Sequence, residues 1–517
     1  MALILASVTD KTGLVAFAKK MASGEKPVSF LASGGTAAAL EKGGITVRTV
    51  ADFTQSPEML GGRVKTLHPN IHAALLARNT DADLSEIKSR GIEPIDILVC
   101  NLYAFEKTVT KPDVSEADCI EHIDIGGIAL LRAAAKNFDR VAVVCDPADY
   151  DAVAEEFLQK GEVSRETRKQ LAAKAFALCT QYDAAITDWF TGGTEKTIRG
   201  YKKQDLRYGE NPHQSATLYT LKAGDGVLGG KLFQGKELSY NNILDCDAAW
   251  RAVSLFDRPA AVVIKHLTPC GVAELGADAK PEQVYKAVEA AIACDPVSAY
   301  GSIIAVNTVF DTKALEAFGK LFVECLIAPK FTDEVKERLA AKKNWRVIEA
   351  PLSAQSQIRE FRSVLGGFLV QDVDHGDPKT AEYKVATAKK PTETEMSVLH
   401  FAWKACTLVK SNSILLAAPI DPAHPELGSC SVGIGCGQPN RVDAARHAVE
   451  RAGEKARGSV LASDAFFPFP DTVQVAAQAG VSAIVQPGGS IRDDLSIEEC
   501  NKNGMAMLFT GVRHFKH

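Results

Sequence analysis

The sequence predicts an α/β protein in which parallel sheets are covered by helices on both faces. Short apolar runs alternate with stretches of helical periodicity through the first third of the chain. These runs are hydrophobic at nearly every position, which is typical of strands buried on both faces of a parallel sheet. The chain has 517 residues, more than one hydrophobic core accommodates, so two or three domains are expected.

The first part of the chain, residues 1–195, is expected to form one domain. Each apolar run is separated from the next by a polar or amphipathic stretch, as in a βαβ arrangement. A glycine-containing stretch, TGGTEKT, then predicts the domain boundary. We expect strands at 2–8, 27–33, 96–103 and 140–146 and helices at 11–23, 35–44 and 164–190.

The remainder, residues 196–517, is expected to be α/β but less regular, with Pro- and Gly-rich turns between its strands. The polar stretch DVDHGDPKTAEYK predicts a divide between two subregions near residues 365–390. Apolar strands are predicted at 260–266, 302–307, 429–437 and 481–488.

Composition excludes several classes of protein. A net charge of −5 argues against a broad nucleic-acid surface. No apolar stretch approaches the roughly 20 residues that a membrane helix needs, and the apolar N-terminal run is too short for a signal peptide. The 12 cysteines are scattered without a CxxC pair, which favours a reducing, cytoplasmic location.

Two turns at neighbouring predicted strand ends suit an anion. SVTDKTG places Ser7 and Lys11 near a helix start, and SGGT places four small residues before the next helix. Unpaired backbone N–H groups at such a position favour a phosphate, although a simple Ser/Thr helix cap is the alternative. Two such turns in one sheet favour a binding site. The SGGT residues are Ser33, Gly34, Gly35 and Thr36.

Further polar groups follow in the same domain. GGRVKTLHP carries three groups compatible with phosphate, and a solvated basic loop is the alternative. Tyr103 ends a predicted strand, and Asp124 lies among apolar residues, where a carboxylate needs a partner. Lys136 follows twelve positions later, so on one unbroken helix the two would be roughly 18 Å apart. They could share a small site only if the helix breaks at Gly126-Gly127. The three groups of GGRVKTLHP are Arg63, Lys65 and Thr66.

In the second part, LRYGENPHQSA is a loop dense in recognition side chains. It carries Arg207, Tyr208 and His213, and a structured surface loop is the alternative. The run PAAVVIKHLTPCG brings Lys265 and His266 to the end of an apolar strand. Such a pair can handle protons in catalysis, whereas a lone histidine is often a buried structural group.

A zinc site of the deaminase type is not expected in this run. Zinc deaminases use P-C-x-x-C, but Ala273 stands at the position of the second cysteine. Downstream, SDAFFPFPD combines Phe466, Phe467 and Phe469 with Asp464 and Asp471. The aromatic residues suit either a core or a stacking wall for a flat heteroaromatic ligand.

These motifs resemble, in order and over essentially the whole chain, the family that joins 5-aminoimidazole-4-carboxamide ribonucleotide (AICAR) formyltransferase to IMP cyclohydrolase. The resemblance implies formyl transfer from 10-formyltetrahydrofolate to AICAR, followed by cyclisation of formyl-AICAR to IMP with loss of water. The motifs that carry it are SVTDKTG, RVKTLHP, NLYAFEKTV, IDIGG, RAAAKN, LRYGENPHQ, KHLTPCGVA, DPVSAYGS, SNSI and SDAFFPFPD.

The resemblance also implies architecture and assembly. The N-terminal domain would be a methylglyoxal-synthase-like doubly wound parallel sheet. The C-terminal part, residues 196–517, would hold two cytidine-deaminase-like α/β subdomains without zinc. Members of the family are homodimers with transferase sites across the subunit interface. From charge and hydropathy, no nucleic acid or membrane partner is expected.

The resemblance implies a role for each motif residue. Lys265 and His266 match the acid–base pair of formyl transfer, and the cyclohydrolase cluster matches Lys65, Tyr103, Asp124 and Lys136. The nucleotide and phosphate contacts of the cyclohydrolase match Ser7, Lys11, Ser33, Gly34, Gly35, Thr36, Arg63 and Thr66. The substrate contacts of the transferase match Arg207, Tyr208, His213, Gly301, Glu324, Asn412, Arg441, Phe466, Asp471 and Arg513.

Two positions depart from the family pattern. Glu324 stands where some members have Asp, and Pro439-Asn440 precede Arg441 where a Ser is common. The alternative functions are a regulatory nucleotide-binding protein with only one of the two activities and a scaffold with neither. The presence of all four residues Lys65, Tyr103, Asp124 and Lys136, and of the Lys265-His266 pair, favours an enzyme.

Overall fold

The computed structural model describes residues 1–222, 224–352 and 359–517. The chain divides into two compact units, Met1–Arg199 and Gly200–His517. The position expected for the domain boundary, near residue 195, lies in the turns that follow the last helix of the first unit.

The first unit is built on a five-stranded parallel sheet with the order β3-β2-β1-β4-β5. The predicted α/β fold with a buried parallel sheet is confirmed. The strands are β1 Ala2–Ser7, β2 Val28–Ala32, β3 Val47–Thr49, β4 Ile97–Cys100 and β5 Ala142–Val144. The helices are α1 Leu14–Ala22, α2 Gly34–Lys42, α3 Val50–Thr54, α4 Pro69–Leu76, α5 Asp81–Ser89, α6 Phe105–Val109, α7 Glu116–Glu121, α8 Gly126–Lys136, α9 Tyr150–Lys160 and α10 Arg165–Phe190.

Hydrophobic periodicity determines how these helices pack. In α1 the apolar residues Leu14, Phe17, Ala18 and Met21 are all buried, as expected for one face of a 3.6-residue repeat. The longest helix, α10, begins after Ser164, whose hydroxyl accepts the Thr167 N–H as an N-cap. The helices therefore cover the sheet and leave its carboxyl edge, where β1, β2 and β4 end, to the loops.

The second unit is built on a twelve-stranded mixed sheet, with two hairpins outside it. Its strands are β6 Tyr201–Leu206, β7 Ala216–Thr220, β8 Lys231–Gln234, β9 Ala260–Lys265, β10 Thr268–Leu275, β11 Ser302–Val306, β12 Val323–Ala328, β13 Arg346–Glu349, β14 Arg359–Val364, β15 Gly367–Asp372, β16 Lys384–Val385, β17 Ile414–Pro419, β18 Gly428–Gly435, β19 Val460–Ser463, β20 Ala483–Gln486 and β21 Ala506–Phe509. Its helices are α11 Tyr240–Val253, α12 Val284–Ile292, α13 Thr312–Glu316, α14 Asp333–Ala340, α15 Glu393–Cys406, α16 Arg441–Ala452, α17 Asp471–Gln478 and α18 Asp493–Lys502.

The twelve-stranded sheet consists of two copies of one arrangement. From one edge to the other the strand order is β16-β21-β20-β19-β17-β18-β10-β9-β11-β12-β13-β8. The series β8, β9, β10, β11, β12, β13 thus corresponds to β16, β17, β18, β19, β20, β21, and the two halves join where β10 pairs antiparallel with β18. Each half has its own set of helices, beginning with α11 and α15 respectively.

Matching glycines support this correspondence. A Cβ built on Gly271 of β10 would lie 1.9 Å from the Ala291 carbonyl oxygen of α12. A Cβ built on Gly433 of β18 would lie 2.1 Å from the Ala448 carbonyl oxygen of α16. Both helices therefore approach their strand so closely that only glycine fits at the contact.

The stretch predicted as a divide, 365–390, contains the end of one of the two hairpins. Strands β14 and β15 pair only with each other, and every described residue of both is exposed. The first half of the sheet ends at Glu349 and the second begins at Lys384, so the hairpin lies between the halves in sequence. None of the helices in the described part of the chain is long and apolar enough to cross a membrane.

Candidate active sites

The carboxyl edge of the first sheet carries a predicted anion cradle. Ser7 ends β1, and Ser33 follows β2 in an extended conformation with no hydrogen bond from its side chain to the helix start. Helix α2 then begins with Gly34 and Gly35, whose N–H groups belong to the set that a helix leaves without an intrahelical acceptor. The positive end of the helix dipole therefore faces outward at this edge.

Two lysines converge on the same helix start. A Cβ built on Gly34 would lie 3.8 Å from Lys65 Nζ, and one built on Gly35 would lie 3.7 Å from Lys11 Nζ. Lysine ammonium groups beside exposed backbone N–H groups suit a phosphate. The structure thus brings together residues that are 54 positions apart in the sequence, as the motif analysis expects.

Thr36 and Arg63 were also expected to contact the phosphate, but their side chains bond to other parts of the protein. The Thr36 side chain is buried, and its hydroxyl accepts from the Val8 N–H at 3.2 Å and donates to the Val8 carbonyl at 3.1 Å. Arg63 forms an ion pair with Glu121 at the surface. In this chain Thr36 therefore ties α2 to the end of β1, and the Arg63 guanidinium has a protein partner.

Asp124 lies at the start of α8 in the same unit. Its Oδ1 accepts the Gly127 N–H at 2.7 Å, and its own N–H donates to the Tyr182 hydroxyl at 2.8 Å. Burial raises the pKa of the Asp124 carboxyl, and this effect outweighs the hydrogen bonds from the Gly127 and Tyr103 N–H groups and the charge of Lys65, which lower it. The carboxyl is therefore more readily protonated than a surface aspartate.

Three predicted cyclohydrolase residues surround this point. Tyr103 is 41% exposed and reaches Asp124 through its backbone N–H. Lys65 is close enough to lower the pKa of Asp124, and buried Thr66 lies beside Gly126, 3.0 Å from a Cβ built there. The cluster thus combines the Asp124 carboxyl with the Lys65 ammonium group.

Lys136 does not join this cluster within one chain. Helix α8 runs without a break from Gly126 to Lys136, and Asp124 precedes its first residue. At 1.5 Å per residue the two ends are about 16 Å apart. The expectation that all four residues share one site is wrong for a single chain, because a helix that starts at the carboxyl edge of a parallel sheet ends at the opposite edge.

In the second unit, Lys265 and His266 lie at a two-residue hairpin turn. Lys265 ends β9, Thr268 begins β10 and the two pair directly. His266 has φ 53° and Leu267 has φ 64°, so both central residues are in the left-handed region, as in a type I′ turn. The sequence predicted a strand through His266, whereas the chain reverses there and exposes the imidazole.

A pocket of about 260 Å³ opens beside this turn. The Lys265 ammonium group is held there by a 2.7 Å hydrogen bond to the Tyr300 carbonyl. Burial raises the pKa of the Cys270 thiol to about 12, so this side chain is an uncharged thiol near neutral pH. The lining residues are Lys265, His266, Thr268, Pro269, Cys270, Cys294, Asp295, Ser298, Ile434, Cys436 and Arg451.

Asn412 and Arg441 lie at the same edge of the sheet. Arg441 donates to Asn412 Oδ1 at 2.6 Å and to Ser463 Oγ at 3.0 Å, and it forms an ion pair with Asp464. Both Arg441 and Asp464 are buried. The expected direct contact between Arg441 and a nucleotide is therefore unsupported in this chain, because the guanidinium is committed to protein acceptors.

Other predicted contacts are distributed around the sheet. Arg207 and Tyr208 lie on the connection between β6 and β7, where Arg207 Nη2 donates to the Tyr208 hydroxyl at 2.9 Å, and His213 is exposed on the same connection. Gly301 has φ 70° and lies next to Tyr300, which holds Lys265. Glu324 is paired with Arg346 on the adjacent strand at 2.6 Å.

The folate-side predictions fall near α17. Phe466 is 40% exposed and Phe469 is 50% exposed, whereas Phe467 between them is fully buried. Asp471 is the first residue of α17. The core interpretation therefore holds for Phe467, and the stacking wall stays a prediction. Of the two exposed rings, Phe469 has the Arg492 guanidinium 4.9 Å from its centre.

Arg513 lies on the C-terminal segment. It is exposed, with its guanidinium 4.7 Å from the centre of the Phe515 ring. The segment is fixed by two backbone hydrogen bonds, from the His514 N–H to the Asp464 carbonyl at 3.1 Å and from the Ser411 N–H to the Lys516 carbonyl at 2.8 Å. Arg513 is therefore held close to the Asn412–Arg441 network.

Sequence reasoning missed three residues that shape the pocket beside the lysine–histidine turn and the turn itself. Asp295 accepts two hydrogen bonds from Ser298 and an ion pair from Arg451, and the carboxylate of Asp245 accepts the Leu267 N–H. Asp295 is the first residue of the motif DPVSAYGS, whose density of turn residues was the available signal. Asp245 and Arg451 lie on helices. From the sequence alone, a single charged residue that shapes a site on a helix cannot be told from one that faces solvent.

No group of three or more His, Cys, Asp or Glu side chains suited to a metal ion occurs among residues 1–222, 224–352 and 359–517. Together the fold and these sites define a two-unit α/β enzyme with a phosphate cradle in one unit and a lysine–histidine site in the other.

Comparisons with known proteins agree with this class. A model of the AICARFT/IMPCHase bienzyme family matches residues 134–451, and a model of the MGS-like domain matches residues 13–129. Proteins described as bifunctional purine biosynthesis protein PurH are 48% identical in Halalkalibacterium halodurans, 46% in Bacillus cereus and 47% in Bacillus mycoides, each covering 99% of both chains. A solved structure titled "Crystal structure of ForH" is 34% identical over 38% of this chain and 100% of its own, with a TM-score of 0.35.

The chain belongs to the AICARFT/IMPCHase bienzyme family. It is a bifunctional enzyme of purine biosynthesis with AICAR formyltransferase and IMP cyclohydrolase activities. Its first unit contains the MGS-like domain. The regulatory and scaffold alternatives are therefore rejected.

Proposed function

We propose that each unit carries one of the two activities, with cyclisation in residues 1–195 and formyl transfer in residues 196–517. The phosphate cradle and the Asp124 cluster both lie in Met1–Arg199, and the lysine–histidine pocket lies in Gly200–His517. Each set of residues is complete enough to bind a nucleotide and move a proton without side chains from the other unit.

In formyl transfer the amine of AICAR attacks the formyl carbon of 10-formyltetrahydrofolate. His266 accepts the proton that the amine loses as the new C–N bond forms. Lys265 stabilises the oxyanion that develops on the formyl oxygen and supplies a proton to the departing folate nitrogen. The exposed turn next to the pocket supports this assignment, because it presents both side chains to a bound substrate.

Nucleotide contacts would come from several elements of the same unit. Arg207 and Arg513 are exposed cations suited to the ribose phosphate, and the partly buried Tyr208 offers a phenol hydroxyl beside Arg207. Asn412 would touch the base or ribose directly, and Arg441 would orient it through their 2.6 Å hydrogen bond. Gly301, His213 and Glu324 remain proposed contacts, with Glu324 limited by its pairing with Arg346.

The cosubstrate is a formyl folate, which we propose to be 10-formyltetrahydrofolate. The exposed ring of Phe466 would stack on its flat pterin, and Asp471 would accept hydrogen bonds from it. These residues are chemically suited to a planar heteroaromatic group with several N–H donors.

In cyclisation the carboxamide nitrogen of formyl-AICAR attacks the formyl carbon, and water leaves as the ring closes to IMP. Ser7, Lys11, Ser33, Gly34 and Gly35 would hold the phosphate at the start of α2. Asp124, with its raised pKa, would take up and return protons, while Lys65 and the Tyr103 hydroxyl stabilise charge on the oxygen that departs. Lys136 would take part only if a second chain supplied it.

We further propose a cytoplasmic homodimer. All twelve cysteines, each within the described residues, are free thiols, which fits a reducing compartment. The hairpin β14–β15 exposes Leu365 fully and Leu369 to 58%, and an isolated two-stranded hairpin has little stability in water. A second copy of the chain would cover these side chains.

The observation that carries the transferase assignment is the Lys265–His266 turn beside the 260 Å³ pocket. His266→Ala should lower formyl transfer by roughly 10²–10⁴-fold, as expected for loss of a general base. AICAR binding should change little, and cyclisation and melting temperature should stay at wild-type values. Near-normal transfer, or equal loss of both activities with a lower melting temperature, would contradict the assignment.

A second test concerns metal. The transferase is expected to need no zinc, because Ala273 stands at the position of the second cysteine of the zinc-deaminase motif. Dialysis against a chelator should leave transfer unchanged. Metal analysis that finds one zinc per chain, lost together with activity, would overturn this proposal.

A further inference from the structure

The turn that presents His266 has an unfavourable backbone conformation. A type I′ turn needs positive φ at both central residues and is usually formed by Asn-Gly or Gly-Gly. Here the residues are His266 at φ 53° and Leu267 at φ 64°. Side chains with a Cβ rarely adopt this region, so another part of the structure must hold the turn.

Asp245 on α11 makes the contact that holds it. Its Oδ1 accepts the Leu267 N–H at 2.7 Å. The helix is a firm support, because the neighbouring residues Cys246 and Ala249 are fully buried and Trp250 is 5% exposed. A short hydrogen bond donated by the turn to a carboxylate on a packed helix is a strong restraint on a two-residue turn.

The same face of α11 contacts a second predicted substrate loop. Asn241, one helical turn before Asp245, donates from Nδ2 to the Glu210 carbonyl at 3.3 Å. Glu210 belongs to the connection that carries Arg207 and Tyr208. The first two turns of α11 thus fix both the nucleotide loop and the lysine–histidine turn.

We propose that Asp245 is a positioning residue for formyl transfer, which holds the His266–Leu267 turn in its left-handed conformation through the Leu267 N–H. The proposal rests on the proposed role of His266 as the proton acceptor. Asp245 acts through His266 and does not contact the substrate. Without this restraint the turn relaxes, and the fraction of molecules with the imidazole in place falls.

The first test compares Asp245→Ala with Asp245→Asn in the full-length enzyme. Asp245→Ala should lower kcat for transfer about tenfold or more, the effect expected for one hydrogen bond to a charged acceptor, with a smaller change in KM for AICAR. Asp245→Asn keeps an oxygen acceptor and should retain most of the turnover. Asp247→Ala is the matched control, because Asp247 lies on the same helix and bonds only to Arg251 in the described structure.

A second-site variant separates positioning from a general structural role. Glycine adopts positive φ readily, so Leu267→Gly removes the strain that Asp245 counteracts. Leu267→Gly alone should retain turnover, and Asp245→Ala with Leu267→Gly should recover most of the activity lost in Asp245→Ala. Cyclisation and melting temperature, measured on the same samples, should stay at wild-type values.

Each outcome decides the proposal. Wild-type kcat in Asp245→Ala, with strong loss in His266→Ala, overturns the positioning role and leaves the catalytic role of His266 intact. Wild-type kcat in His266→Ala removes the catalytic role and the inference with it. A low kcat that Leu267→Gly does not restore, accompanied by a lower melting temperature, shows that Asp245 only stabilises the fold and also overturns the proposal.

Discussion

Two ionic networks in the second unit each surround one buried residue. Arg441 is held by Asp464, Ser463 and Asn412. Because both members of the Arg441–Asp464 pair are buried, removing either would leave an unpaired charge in the interior. Loss of activity on mutation of Arg441 would therefore reflect disorder of Asn412 and its surroundings as well as weaker binding.

The second network encloses His514, whose imidazole bonds to two carboxylates. Nδ1 lies 2.6 Å from Asp374 Oδ2 and Nε2 lies 2.9 Å from Asp377 Oδ1. Burial alone would lower the pKa of His514, but the hydrogen bonds and charges of Asp374 and Asp377 outweigh burial and raise it to about 9. The protonated ring therefore fixes the segment that carries Arg513.

This network predicts a pH-dependent contribution to stability. Since the pKa of His514 is higher in the folded chain than its ordinary value near 6.5, the contribution is complete below pH about 6.5 and disappears as pH rises through about 9. At the acid end, His514 also lowers the pKa values of Asp374 and Asp377 against the raising effect of burial, so stability falls there as these carboxylates take up protons.

Melting temperatures of the wild type and His514→Gln, measured from pH 6 to 10, test this prediction. At pH 6 to 7 the wild type should be more stable than His514→Gln by roughly 2 kcal/mol, the contribution expected of hydrogen bonds to charged groups. This difference in stability should shrink towards pH 10. A difference that is constant over this range would show that the imidazole contributes by packing rather than by charge.

At the scale of single elements, the sequence identified buried strands better than it identified their ends. The apolar run before Lys265 predicted β9, because burial on both faces leaves a clear pattern. The reversal at His266 was missed, because neither His nor Leu is a turn residue and the contact with Asp245 comes from a distant helix. Short or exposed strands such as β3 and β14 were missed for a different reason, because they have no apolar run of their own.

The hairpin β14–β15 gives a prediction about assembly. Leu365 and Leu369 are exposed apolar side chains on an element that pairs with no other strand of the described chain. Replacing both leucines by serine should shift the protein from dimer to monomer in sedimentation at micromolar concentration, because burial of apolar area drives association.

Ile491→Ser is the matched control for the hairpin variant, because Ile491 is equally exposed but lies outside the hairpin. It should leave the dimer unchanged. A double serine variant that sediments like the wild type would place the interface elsewhere on the chain.

At the scale of the whole molecule, the first unit should work without the second. Residues 1–199 contain the complete five-stranded sheet, the phosphate cradle and the Asp124 cluster. We expect this fragment to fold and to cyclise formyl-AICAR, whereas the same fragment with Asp124→Asn should bind nucleotide and turn over at least tenfold more slowly. A folded fragment that binds nucleotide without cyclising it would argue against the division of activities.

The α/β class and the parallel first sheet were predictable from alternating apolar runs, whereas the organisation of the second sheet was not. Strand order depends on pairings between residues as distant as Ala273 and Cys430, and no local pattern encodes such a pairing. The site followed the same rule. Residues in one motif, such as Lys265 and His266, were found together, but the separation of Lys136 from Asp124 depended on the continuity of α8.

The two halves of the twelve-stranded sheet have an evolutionary consequence. Because β9, β10, β18 and β17 are successively antiparallel, corresponding strands of the two halves point in opposite directions. Lys265 ends β9, yet Asn412 precedes the start of β17, so the two residues share an edge while occupying non-equivalent positions of the two halves. The pocket beside the turn is lined by Lys265 and His266 from the first half and by Ile434 and Arg451 from the second, so a half-length chain would have lacked one of its walls.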